Sequence, residues 1–112
     1  MFGPPSLPRT LEAALRDLKS GKAKVRAEAA RELAPHADSA RKEVLRALEG
    51  AFRDADAEVR GAAALSLADM QGREALAPLL VAIEDEDAYV RQMAILALGE
   101  IGDTRAGQRL LR

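Results

Sequence analysis

Apolar residues recur along this chain at spacings of three and four. Leu11, Leu15 and Leu18 form one such stripe; Val44, Leu45, Leu48 and Phe52 a second; Leu76, Leu79, Leu80 and Ile83 a third. That is the helical period, not the alternation of a strand. Each stripe leads through a short polar turn into a segment that opens Val-Arg and continues in Ala and Leu. These segments are Val25-Arg26-Ala27-Glu28-Ala29-Ala30-Arg31-Glu32-Leu33, Val59-Arg60-Gly61-Ala62-Ala63-Ala64-Leu65-Ser66-Leu67 and Val90-Arg91-Gln92-Met93-Ala94-Ile95-Leu96-Ala97-Leu98. Val25, Val59 and Val90 stand 34 and 31 residues apart. The pattern predicts a helix–turn–helix unit used three times, as expected of a stacked repeat protein.

The punctuation fits that unit. Asp54-Ala55-Asp56 and Asp85-Glu86-Asp87 place N-cap residues and first-turn acids before the second helices of repeats two and three, and Ser20-Gly21-Lys22 fills the same turn in repeat one. Pro35 stops the first Val-Arg helix. Gly99 and Gly102 are read as C-terminal caps of the third, after which Ala106, Leu110 and Leu111 repeat the spacing of Ala75, Leu79 and Leu80 and predict a final capping helix. The expected organisation is an extended Pro-rich leader over 1–9 and a single repeat domain over 10–112, with units at about 10–36, 38–70 and 72–102 and a partial one at 103–112.

Composition narrows the fold. The 112 residues include 24 Ala and 16 Leu against five Val, three Ile and three aromatics, a mixture that favours helix and starves strands. An all-α chain is expected. There is no cysteine, hence no disulfide framework and no thiolate nucleophile. The start, Met1-Phe2-Gly3-Pro4-Pro5, has no basic segment followed by an apolar one, and the apolar run 75–83 is too short to span a bilayer. A soluble, cytoplasmic protein without membrane contact is expected. The formal net charge is −1, which argues against a general polyanion binder.

The stretch Asp85-Glu86-Asp87-Ala88-Tyr89-Val90-Arg91-Gln92-Met93-Ala94-Ile95-Leu96-Ala97-Leu98-Gly99-Glu100-Ile101-Gly102-Asp103 resembles a HEAT repeat of the short bacterial type also found in phycobilisome-lyase-like proteins. It carries the acidic turn, Val-Arg, the paired small residues, Ala-Leu-Gly and Ile-Gly-Asp. Ala75-Leu76-Ala77-Pro78-Leu79-Leu80 resembles the family's first helix, including its internal Pro. Repeat three matches strongly, repeat two well and repeat one loosely. The resemblance implies a right-handed α-solenoid of about three HEAT-like helix pairs. It also implies that the Arg after each Val reaches the acidic turn of the neighbouring unit. Arg60 is expected with Asp87 or Asp85, and Arg26 with Asp56 or Asp54; Arg91 is the third member of this structural ladder.

On a helical wheel stepped from each Val, positions +4, +7 and +8 cluster on the packed stripe. Glu32 is its odd member, expected at an exposed edge. Positions +2, +3 and +6 would line the concave surface in a HEAT array. Here they are Ala27, Glu28 and Arg31, then Gly61, Ala62 and Leu65, then Gln92, Met93 and Leu96. Leu65, Met93 and Leu96 are apolar where exposure is expected, and on adjacent helices they could form one patch. Either a terminal segment covers them or a partner does. The expected partner-binding set is Leu65, Met93, Leu96, Ala62, Gln92, Glu28 and Arg31, with another protein as partner and self-association open.

No chemistry competes with that reading. Glu84-Asp85-Glu86-Asp87 lacks the glycine and the distal Glu of a calcium loop, so caps and Arg partners are expected rather than a metal. His36, the single imidazole, follows a Pro in a loop without a second metal-ligating partner, and is expected to be solvated. No hydroxyl sits in a nucleophile elbow and no glycine loop cradles phosphate. No catalytic residue, metal or cofactor is expected, and the chain is read as a non-catalytic interaction module. Two other readings stand beside it. One is nucleic-acid binding through Lys19, Lys22, Lys24, Arg26 and Arg31, although no aromatic lies near them to stack on a base. The other, implied by the family resemblance alone, is an accessory subunit of a lyase-like enzyme complex.

Overall fold

Alanine-rich amphipathic stretches separated by capped turns give six α-helices in the computed structural model, which describes residues 7–70 and 72–110, with 103–110 described by backbone alone. They are α1 (Leu11–Asp17), α2 (Ala23–Arg31), α3 (Ala37–Ala51), α4 (Ala57–Met70), α5 (Leu76–Ala82) and α6 (Ala88–Leu110). Single 3-10 turns at Ala34–His36 and Arg73–Ala75 lead into α3 and α5. Among the described residues all regular structure is helical.

The repeat is kept to the residue. The first helices end at Asp17, Ala51 and Ala82 and the second begin at Ala23, Ala57 and Ala88, at the same 34- and 31-residue offsets as the three valines. The three extra residues between repeats one and two therefore fall outside the helix-turn-helix units. They enlarge the front of α3, which is bent at Ala40 (φ −144°, ψ 50°). Beyond that bend α3 runs in register with α1 and α5.

Local chemistry sets the helix starts. The Thr10 side chain accepts the Ala13 amide at 3.1 Å and caps α1. Asp56 accepts the Glu58 amide at 2.9 Å and Asp87 the Tyr89 amide at 2.8 Å, capping α4 and α6. Pro78 is the third residue of α5, where its missing N–H is one the helix would leave unpaired in any case.

The second helices stack closely, α2 on α4 and α4 on α6, while each first helix packs on its own partner and touches the other first helices little. A stack that is tighter on one side bends toward that side, so the second helices line the inner face. The small side chains permit this close approach: Ala30, Ala63, Ala64, Ala94 and Ala97 are fully buried. Leu33, Leu48, Leu67, Leu79, Val44, Val59 and Val90 fill the space between layers, and Val25, in the end repeat, is half-buried. A Cβ on Gly61 would meet the exposed Tyr89 ring, which would have to turn aside; the glycine lets that ring lie against α4. Ser66 is wholly buried with its hydroxyl unpaired among the described residues, at the place that Ala97 holds in α6.

The C-terminal end departs from the sequence expectation. Gly99 and Gly102 do not cap α6; the helix continues through both to Leu110. Neither adopts the left-handed backbone that would terminate it. A glycine in a helix interior costs about 1 kcal/mol but does not interrupt the hydrogen-bond ladder. The residues expected as a separate capping helix are thus the last turns of α6 up to Leu110, and Leu111 lies outside the described residues, as does most of the expected leader.

Candidate functional site

An arginine ladder ties the units together. Arg26 Nε and Nη2 donate to the two Asp54 carboxylate oxygens at 2.8 and 3.1 Å, and its Nη1 donates to the Ser20 carbonyl of its own turn at 2.8 Å. Arg60 repeats this with Asp85 at 3.0 and 3.2 Å and with the Asp54 carbonyl at 2.8 Å. Of the two aspartates in each of these acidic turns, the first takes the arginine and also accepts an amide two residues on, Asp54 from Asp56 at 2.9 Å and Asp85 from Asp87 at 2.8 Å. The second, Asp56 or Asp87, caps the helix. The acidic residues at 85 and 87 are thus engaged in the turn and the ladder. Among the described residues, Arg91 bonds only its own turn, at the Asp85 and Glu86 carbonyls.

Burial disfavours ionisation of Asp54, but the bonds from Arg26 and the Asp56 amide outweigh it and hold the carboxyl below its usual 3.8. Asp85 is lowered in the same manner, burial being overcome by Arg60 and the Asp87 amide. The other inter-repeat bridge runs from Arg41 to Glu74, at 2.9 and 3.0 Å, passing over Gly72, where a Cβ would block the guanidinium. The Arg41 bonds, with the Glu74 amide, pull the Glu74 carboxyl from 4.5 to about 2. All three carboxylates are depressed on folding, so they add stability above their unfolded values and lose it as pH falls through the folded ones. The unfolding midpoint is expected to hold steady from neutral pH to about pH 5 and then to fall steadily from 4.5 toward 2. Glu74→Gln should flatten part of that decline in a pH series of thermal melts.

Sequence reasoning missed the N-terminal latch. Arg9 pairs with Asp17 at 2.9 Å, with Glu28 at 3.4 Å and with Glu32, whose carboxylate also accepts the Arg9 amide. Glu32 is therefore a half-buried partner of the leader rather than an edge residue. His36, expected to be solvated, is half-buried and donates from Nε2 to the Arg9 carbonyl at 2.9 Å. An arginine between a proline and a helix cap carries no periodic signal, so only the fold shows what it meets.

The expected partner-binding residues divide. Leu96 is 52% exposed, and Gln92, Glu28 and Arg31 are exposed as well. Leu65 and Met93 are half-buried, Met93 resting against the core. Ala62 is 4% exposed and belongs to the core, which removes it from the set. Helix α4 is flanked on both sides by second helices, so its open sector is narrower than a wheel drawn for one helix suggests. Arg9 of the leader lies by Glu28 and Glu32, and Leu96 is left exposed. Of the basic set in repeat one, Arg26 is committed to Asp54, and Lys19, Lys22, Lys24 and Arg31 are exposed.

On the outer side, a groove of about 500 Å³ lies between α1 and α3. Leu15, Leu18, Ala47, Ala51 and Val59 line it, with Arg16, Lys19 and Arg46 among its polar neighbours. Among the described residues no cluster of three or more His, Cys, Asp and Glu could hold a metal ion, and no helix is long and apolar enough to cross a membrane.

Helix pairs stacked in register and tied by Arg–Asp rungs define an α-solenoid. The family model of HEAT repeats matches residues 7–80 and 46–112, and the chain belongs to that family. Among solved structures, it is similar to the complex of CpcE and CpcF of phycocyanin lyase from Nostoc sp. PCC7120, with 29% identity and a TM-score of 0.72 over 89% of this chain. The match takes in 39% of that neighbour's chain, so this chain spans about two-fifths of its length. A comparison with curated proteins gave no match.

Proposed function

We propose that the chain is a non-catalytic protein-interaction module that takes a partner protein on the inner face of its second helices. Leu96 would be the apolar centre, Leu65 and Met93 its half-buried floor, and Gln92, Arg31 and Glu28 the polar surround that sets orientation more than affinity. The observation that carries this reading is the exposure of Leu96, at 52%, on a face built from rigid stacked helices. The solved neighbour is a complex of two proteins of a lyase, which supports a role as an accessory subunit working through a second chain.

Affinity capture from the source organism, followed by titration of the purified partner, tests it. Leu96→Asp should weaken that binding about tenfold or more with helical circular dichroism and melting temperature unchanged, since the side chain already faces water. Undiminished binding by this variant would overturn the inner-face assignment.

A further inference from the structure

The outer groove between α1 and α3 has a lining that the repeat does not copy. Its apolar surface is made by Leu15, Leu18, Ala47, Ala51 and Val59. Gly50 lines it too, and a Cβ there would meet no neighbouring atom within 4 Å. At the register-equivalent places of the next seam, between α3 and α5, Phe52 stands for Leu18, Val81 for Gly50 and Ala77 for Arg46. Larger apolar side chains and fewer cations mark that second seam. The rungs and the stacked second helices are nonetheless alike in both, so the character of the first groove is not a by-product of how the units pack.

The charge around that apolar surface has one sign. Arg16, Lys19 and Arg46 line the groove and are exposed, and among the described residues Lys19 and Arg46 have no partner. Arg16 donates from Nε to Asp17 at 3.2 Å. Asp54, the one carboxylate of the lining among the described residues, is held by Arg26 in the rung. The dimensions narrow what such a groove can take. With seven residues α1 offers a wall about 10 Å long, little beside the roughly 800 Å² per partner of a stable protein interface. A volume of about 500 Å³ instead falls among small-molecule sites, which span about 300–1,000 Å³ and are mostly apolar with a few placed charges.

We propose that this groove binds a small anionic amphiphile, an aliphatic chain with a single carboxylate head of the medium-chain fatty-acid class. The chain would lie over Leu15, Leu18, Ala47 and Ala51, taking their apolar surface out of water. The head would pair with Lys19 and Arg46, whose donors are free, while Arg16 adds to the positive field at the mouth. Apolar surface alone would accept any alkyl chain; the three cations select the anionic head. The site lies on the outer side of the stack, apart from Leu96, and does not rest on the inner face taking a partner.

Isothermal titration of the intact 112-residue chain with decanoate, kept below its micelle concentration, should show saturable binding of one molecule per chain. Decyltrimethylammonium, the same chain length with a cationic head, should bind about tenfold or more less tightly, and the double variant Lys19→Glu, Arg46→Glu should weaken decanoate by a similar factor. Gly50→Phe enters open space and replaces a helix glycine by a better helix former, so it should block the groove without lowering the melting temperature. Leu96→Asp should leave decanoate binding unchanged, which separates this site from the inner face. No saturable binding, equal affinity for the two head groups, or binding indifferent to either the charge variant or Gly50→Phe overturns the proposal. So does a helical peptide of leucine and glutamate that binds more tightly than decanoate and is lost in the same variants, which would make the groove a docking site for an acidic protein segment.

Discussion

Leu67→Ala is expected to destabilise the fold by about 4 kcal/mol, in the upper half of the range for a buried leucine truncated in a core. Leu67 is fully buried in α4, the helix that packs against α2, α3 and α6. Its surroundings are unusually poor in side chains that could move to fill the gap, since Ala30, Ala63, Ala64, Ala94 and Ala97 bring helix backbones close together. A cavity that cannot collapse keeps its full cost. For a domain of this size the loss is a large part of a total stability of about 5–15 kcal/mol and should lower the melting temperature by more than about 10 °C. Leu80→Ala, at a side chain 55% exposed, is the control and should change stability by less than about 0.5 kcal/mol. A similar small change for Leu67→Ala in urea or thermal melts would contradict the packing described for α4.

Arg60→Met is expected to cost on the order of 2–3 kcal/mol, for a different reason. The methionine keeps much of the apolar stem, so the loss falls on the guanidinium. That group is 8% exposed as a residue and makes two bonds to Asp85 and one to the Asp54 carbonyl. Removing it strands a carboxylate whose side chain is 16% exposed. Asp85→Asn in the same chain should recover part of the loss, because an uncharged amide needs no cation and its oxygen still accepts the Asp87 N–H. A double-mutant cycle reads this directly. Independent, additive effects of the two substitutions would mean that the rung contributes nothing across the interface.

The helices and the rungs were legible in the sequence because both are periodic. Leu11, Leu45 and Leu76 stand at the head of equivalent seven-residue stretches of helix, and the offset that relates Val25 to Val59 also carries Ser20 to Asp54, which leaves Arg26 facing an acid. The acidic turn narrowed the partner of Arg60 to Asp85 or Asp87; amide geometry selects Asp85, since Asp87 is occupied with the cap. What the sequence did not reveal is aperiodic or depends on neighbours. Arg9 and His36 meet only through the fold, and Arg41 reaches Glu74 past a glycine that carries no motif. Ala62 reads as exposed on an isolated wheel and is buried because α4 has a second helix on either side. Gly99 and Gly102 read as stops, but a glycine ends a helix only where its backbone turns left-handed, and residue type alone does not decide that.

The bend at Ala40 has a consequence for how such a chain can lengthen or shorten over generations. The first two units stand three residues further apart than the next two, yet the rungs are equivalent, because the strict spacing is kept only from each first helix through its turn into the second. Insertions and deletions in that outer connection should be tolerated, whereas loss of one residue between Asp17 and Ala23, or at the matching places further on, would rotate a whole helix out of register. Gene duplication that copies whole units, joined at such elastic junctions, adds length at the expense of one new seam.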